Sequence, residues 1–169
     1  MAETTRAKQE TVGFRASWGV LRGGIDRQPR LSNGSPTMTT IPESHLDLVT
    51  NKPAFANLAT VMPDGTPQVT PVWVDFDGSH LLINTAAGRL KDINMQARAQ
   101  VGVSISDPDN PYRYMGIQGA VTERVEAGAD EHIDRMALKY MGKAKYPFRA
   151  DGEVRVIYRI QPTKVHVKG

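Results

Sequence analysis

The sequence predicts a mainly β fold: an antiparallel barrel of six or seven strands with two or three inserted helices. Three observations carry that expectation. Hairpin turn chemistry recurs at Pro63-Asp64-Gly65-Thr66 and Asp77-Gly78, between short apolar runs. The runs Val101-Val103-Ile105 and EVRVIYRI (153–160) alternate with period two. No internal repeat and no doubly wound βα alternation is present.

The 169 residues suit one domain with a real core. Residues 1–40 stand apart, rich in Arg, Gly, Ser and Thr and without sustained periodicity. They read either as a disordered extension or as a mis-assigned start upstream of Met38. Order begins near Ile41. Pro42 and Glu43 open a short helix to about Val49. Three strands follow as a meander, Ala54–Met62, Gln68–Phe76 and Ser79–Thr85. A helix from Arg89 to about Ala97 places Leu90, Ile93 and Ala97 on one face. Val101–Ser106 is a strand, 107–111 a loop, and Tyr112–Val125 a long strand. Gly116 and Gly119 within it mark a bend or a close approach. The apolar spacing of Ile133, Met136, Ala137, Tyr140 and Met141 predicts a helix over 130–141, with Gly142 as its stop. A basic, aromatic loop (143–151) leads to Glu153–Ile160, and Thr163–Val167 closes the domain after Pro162.

Composition removes several classes of function. There is no Cys, hence no disulfide, thiolate metal site or cysteine nucleophile. A net charge of +3 does not by itself argue for nucleic acid. No apolar run is long enough to span a bilayer and no secretory h-region opens the chain, so a cytoplasmic location is expected. The histidines His45, His80, His132 and His166 lie on different elements without ligand spacing and are expected at surface or half-buried positions, with no metal site. Asp64, Asp75 and Asp77 sit where turns favour Asp. No catalytic residue is nominated.

The stretch Pro67–Asn94 holds the candidate site. Arg89 and Lys91 follow Ala86-Ala87-Gly88 at a helix start, where backbone N–H groups, the helix dipole and side-chain charge favour an anion. An ordinary solvated helix start would have the same residues. Pro71 adds weight to the ligand reading: a mid-strand proline cannot donate to a ladder, so its segment is an edge or is opened beside a ligand. Thr70 and Trp73 offer a polar handle and a flat surface there.

The segments ATVMPDGTPQVTPVWVDFDG, LLINTAAGRLKDIN, DPDNPYRYMGIQGAVTE, KYMGKAKYPF and RVIYRIQPTKV resemble, in order, the split β-barrel flavin and deazaflavin oxidoreductases of the pyridoxamine 5′-phosphate oxidase superfamily. The likeness extends to the actinobacterial PPOX-class F420-dependent enzymes and covers residues 41–169. It implies a reductase that passes a hydride from reduced coenzyme F420 to a small unsaturated or electron-poor substrate. An FMN enzyme, or a non-catalytic F420, flavin or haem carrier, are the alternatives. The resemblance assigns the ring contacts to the strand Gln68, Thr70, Pro71, Val72 and Trp73. It gives the ribityl region to Asn84 and Thr85, and the phosphate to Ala87, Gly88, Arg89, Leu90 and Lys91, with Asn94 one turn on. Gln118 is implied to come from the other subunit of a homodimer whose cofactor lies near the interface. Lys139, Lys143, Lys145 and Arg149 would meet the oligoglutamate tail of F420, unless they form a solvated face. The chain departs from the vitamin B6 oxidases in lacking their Arg-rich pattern before the second strand and their C-terminal Arg/His pair.

Overall fold

The computed structural model describes residues 39–169. The expectation for 1–38 lies outside the described residues. Seven antiparallel strands form one sheet: β1 (Ala56–Val61), β2 (Pro67–Val72), β3 (Asp75–Phe76), β4 (Leu81–Ala86), β5 (Gln100–Ser106), β6 (Tyr114–Val125) and β7 (Arg155–Lys168). Their order across the sheet is β2-β1-β5-β6-β7-β4-β3. Three helices accompany them, α1 (Asp47–Thr50), α2 (Leu90–Ala97) and α3 (Ala129–Met141), with a 3-10 turn at Glu43–His45 before α1.

The connectivity forces the sheet to curl. β2 and β3 occupy opposite edges, yet only Trp73 and Val74 separate them. Three residue steps reach at most about 11 Å, whereas the edges of a flat seven-stranded sheet would lie about 29 Å apart. The sheet therefore bends into a half-barrel whose seam is crossed at Trp73-Val74. This corrects the expected meander: the run 68–76 is two strands, one paired to β1 and the other to β4. Pro71 lies on the edge strand β2, where its missing N–H costs no ladder bond.

Inward-facing residues fill the interior. Leu58, Ile83, Ile105, Met115, Tyr158 and Ile160 are all fully buried there. The close approach anticipated at Gly119 is real. A Cβ there would stand 2.6 Å from Ile160 Cγ2 and 3.1 Å from the Gln161 carbonyl oxygen. At the same point the β6–β7 register shifts, leaving Thr163 unpaired and Pro162 opposite Gly119. That irregularity absorbs the proline, so β7 runs unbroken where two strands were expected.

The helices differ more from expectation. α2 buries Asp92, Asn94 and Met95 and leaves Leu90 and Ile93 about half exposed, the reverse of its predicted apolar face. Its buried polar groups have partners remote in sequence. Asp92 accepts hydrogen bonds from the Tyr158 hydroxyl, the Arg124 guanidinium and the Gly88 N–H. Asn94 donates to Thr60 Oγ1 at 3.0 Å. α3 buries Ile133, Met136 and Ala137 as expected and ends at Gly142 in the left-handed conformation, φ 66°. His45 and His132 are buried rather than half-exposed. No described helix is long and apolar enough to cross a membrane.

Candidate functional site

A cleft of about 170 Å³ opens beside the barrel seam. β2 and its exit supply Pro71, Val72 and Trp73; β4 supplies Asn84 and Thr85; the start of α2 supplies Arg89 and Lys91. Seven of the expected ligand residues thus converge. Phe55, Ile133, Tyr146, Phe148 and Arg155 complete the wall and were not anticipated.

One end of the cleft is aromatic and held rigid. Trp73 stacks on Tyr140 with ring centroids 5.1 Å apart and planes 11° from parallel, and Tyr146 meets its edge at 5.8 Å. The Tyr140 hydroxyl donates to the Ala54 carbonyl at 2.8 Å and accepts the Val74 N–H at 3.0 Å, so it clamps both sides of the seam. Burial pushes that phenol up to about 12, and it stays a neutral hydrogen-bonding group. One face of Trp73 is consequently occupied by protein.

The other end is cationic. Arg89, Lys91 and Arg155 face it, and Glu153 is the carboxylate that pairs with both arginines, at 3.2 and 2.8 Å. Burial, and then the charges of Arg89 and Arg155, hold the Lys91 ammonium below the usual lysine range. A crowd of like charges with one counter-charge is a site short of an anion. The turn before α2 is shaped for one. Gly88 adopts φ 81°, its N–H is tied to Asp92 Oδ2 at 2.7 Å, and the N-cap Arg89 makes no side-chain cap. The first N–H groups of α2 are thereby left for a ligand. Independently, Thr85 Oγ1 is buried on the cleft wall without a hydrogen-bond partner among the described residues. Such an orphan is completed by a polar group beyond the described residues, a ligand or a water.

The other expected residues stand elsewhere. Ala87, Gly88 and Leu90 belong to the exposed turn and helix start next to the cleft without lining it. Gln68 and Thr70 bond each other on β2, and Gln68 Oε1 accepts from Thr60. Asn94 is buried behind them against Thr60 and Met62. Gln118 lies on the outer sheet face, in a separate hollow of about 570 Å³ with Ala59, Gly102, Ser104 and Gly116. The basic run of 139–149 is largely spent within the chain. Lys139 points inward to the carbonyls of Val49 and Val74, Lys145 pairs with Asp134, and Arg149 pairs with Asp130. Arg155 was missed because it reaches the cleft through β4–β7 pairing, opposite Ala86. A signal was present in its position at the start of the alternating run after Glu153.

The model of the family described as Pyridoxamine 5'-phosphate oxidase matches residues 41–169. A solved structure named F420 Reductase is 34% identical, covers 75% of this chain and 98% of its own, and has a TM-score of 0.66. A putative pyridoxamine 5'-phosphate oxidase from Listeria innocua is 18% identical, with coverages of 67% and 86% and a TM-score of 0.52. HupZ of Group A Streptococcus is 19% identical, with coverages of 75% and 93% and a TM-score of 0.54. These last two share the fold alone. None of the curated proteins matches the chain. The half-barrel, the cationic helix start and the matched span together place this chain in the pyridoxamine 5′-phosphate oxidase family, with that family's flavin-binding oxidoreductase fold.

Proposed function

We propose that the cleft binds coenzyme F420 and that the protein is an F420H2-dependent reductase acting on a small unsaturated or electron-poor molecule. The observation that carries this reading is the pairing of a cation-rich α2 start with the unpartnered Thr85 hydroxyl in one cleft. The F420 Reductase likeness supports F420 over other cofactors of the fold. Lys91, Arg89 and the first N–H groups of α2 hold the phosphate. Thr85 meets the polar linker with Asn84 beside it, and Pro71, Val72 and Trp73 border the ring. When bound in reduced form, the deazaflavin supplies the hydride. The chain's own part is to orient, to exclude water with its aromatic wall and to neutralise negative charge. No catalytic acid is nominated, and solvent can supply the product's proton.

A homodimer completes the proposal. Along the outer face of β1, β5 and β6, Ala59, Gly102 and Gly116 leave the backbone open to close approach, and Gln118 stands among them. A second copy seated there would bring Gln118 toward the partner's cleft. FMN is the second reading, because the same cationic end suits its phosphate and the fold is a flavin-binding one. Titrating the purified full chain with F420, followed by the ligand's fluorescence, tests the first reading. Saturable change at micromolar ligand is expected, and none at that concentration refutes it. A protein that is yellow as purified, and releases flavin on denaturation, selects FMN instead. Saturable binding without turnover of any acceptor would mark a carrier.

A further inference from the structure

From the cleft wall inward runs a chain of polar groups, Arg155, Asn84 and His132, whose contacts with one another have no part in the proposed function. Arg155 is almost fully buried, and its Nε and Nη2 both donate to Asn84 Oδ1, at 2.8 and 2.6 Å. Nη1 donates to Glu153 at 2.8 Å, and the Tyr146 ring covers the guanidinium at 5.2 Å. Three of its five N–H groups are committed in this way, which leaves two for a ligand in the cleft.

Arginine has only donors, so the Asn84 atom facing it must be the oxygen. The Asn84 nitrogen donates to the Ala129 carbonyl at 2.7 Å, which fixes the amide from its other end. That nitrogen also lies 3.2 Å from Nδ1 of the buried His132. An N–H pointing at Nδ1 requires an unprotonated Nδ1, so the ring proton sits on Nε2. Nε2 faces Asp75 Oδ2 at 3.4 Å, close enough for an ion pair but without an aligned hydrogen bond. Burial pushes the Asp75 carboxyl up, but His132 and the Phe76 N–H outweigh it and keep it ionised below the ordinary carboxylate range. Lys139 on α3 adds positive charge near Asp75. Glu131 and Arg135 of α3 and Arg159 of β7 share a hollow with His132 on its other side.

We propose that His132 is a positioning residue for the cleft, holding Arg155 in place through Asn84 and releasing it when protonated. A proton arriving at Nδ1 turns that atom into a donor facing the Asn84 N–H. Relief of that contact turns the amide at the expense of its bond to the Ala129 carbonyl, and a turned amide presents its nitrogen to Arg155, which then loses both hydrogen bonds. The consequence for ligand binding rests on the cofactor reading above; the relay itself does not.

The test is NMR of the full, ligand-free chain across about pH 5 to 8, reading the His132 ring, the Asn84 side-chain amide and Arg155 Nε. A common midpoint is expected, with loss of the Asn84 and Arg155 changes in His132→Asn, whose amide oxygen accepts but does not titrate. Asn84 and Arg155 signals that stay fixed while His132 titrates overturn the proposal. So does a His132 that stays neutral throughout, or an unchanged response in the variant. If His132→Asn does not fold, the wild-type midpoints decide alone. In parallel, F420 affinity should fall roughly three- to tenfold as His132 protonates, about the worth of one hydrogen bond; an affinity that is flat with pH overturns the coupling to binding. If neither F420 nor FMN binds at any pH, the cofactor reading fails while the ligand-free titration still judges the relay.

Discussion

Replacing Lys91 with Met should weaken ligand binding and strengthen the free fold, and the opposite signs are the diagnostic. Lys91 is half-buried, and burial with the Arg89 and Arg155 charges holds its ammonium below the usual lysine range. A group whose folded-state value is depressed in this way is less willing to carry its proton in the native chain than in the unfolded one. At neutral pH the charged lysine therefore works against folding. Met keeps the aliphatic stem, removes the charge and relieves that repulsion, so the Tm of the ligand-free protein should rise. Against a bound phosphate the same change removes one charge-assisted hydrogen bond. Discounted for solvent at a half-exposed site, that bond is worth about 1–2 kcal/mol, or roughly a 5- to 30-fold rise in Kd. Paired thermal melts and F420 titrations of the wild type and Lys91→Met measure both. A variant with lower Tm and unchanged Kd would show that Lys91 is an ordinary structural residue and refute the anion-site argument.

Three other perturbations probe the frame around the site. Gly119→Ala places a methyl 2.6 Å from Ile160 Cγ2 and should cost about 1–3 kcal/mol in denaturant unfolding. Acid should loosen the ion network that ties α1 and Lys52 to the loop between β5 and β6. Asp107, held by Lys52 at 2.7 Å and Arg113 at 2.6 Å, and Asp47, held by Arg113, are both kept below the ordinary carboxylate range by those hydrogen bonds. Carboxylates with depressed values contribute fully above their unfolded values and lose that contribution as pH falls from about 4 toward the folded ones. Unfolding followed by circular dichroism should therefore steepen below that point, and less so in Asp107→Asn. Ser104→Arg, on the outer sheet face beside Gly116, should convert the proposed dimer to monomer in sedimentation velocity.

The turns, the long strand β6 and α3 were legible because their causes are local: Asp-Gly pairs, alternation, and a helical stripe stopped by Gly142. That Arg89 and Lys91 stand together was legible for the same reason, since they are neighbours in the chain, and both line the cleft. What escaped depended on distant partners. The orientation of α2 is set by Tyr158 and Arg124, which satisfy Asp92, and by Thr60, which satisfies Asn94. With those partners unseen, the apolar period naturally selects Leu90 and Ile93 as the buried face. Likewise the break at Trp73-Val74 follows from closure of the whole sheet, and no property of residues 68–76 alone announces it. Arg155 and His132 matter through contacts with Asn84, 71 and 48 residues away. Among the described residues, Leu90 and Ile93 stay about half exposed.

The most direct test of the account is a crystal structure of the protein with F420 bound. The phosphate should sit at the first N–H groups of α2, within hydrogen-bonding distance of Lys91, with Thr85 Oγ1 satisfied by the ligand. The deazaflavin should lie along Pro71–Trp73. A ligand bound elsewhere, or one in this cleft with its phosphate turned away from Arg89 and Lys91, would contradict it.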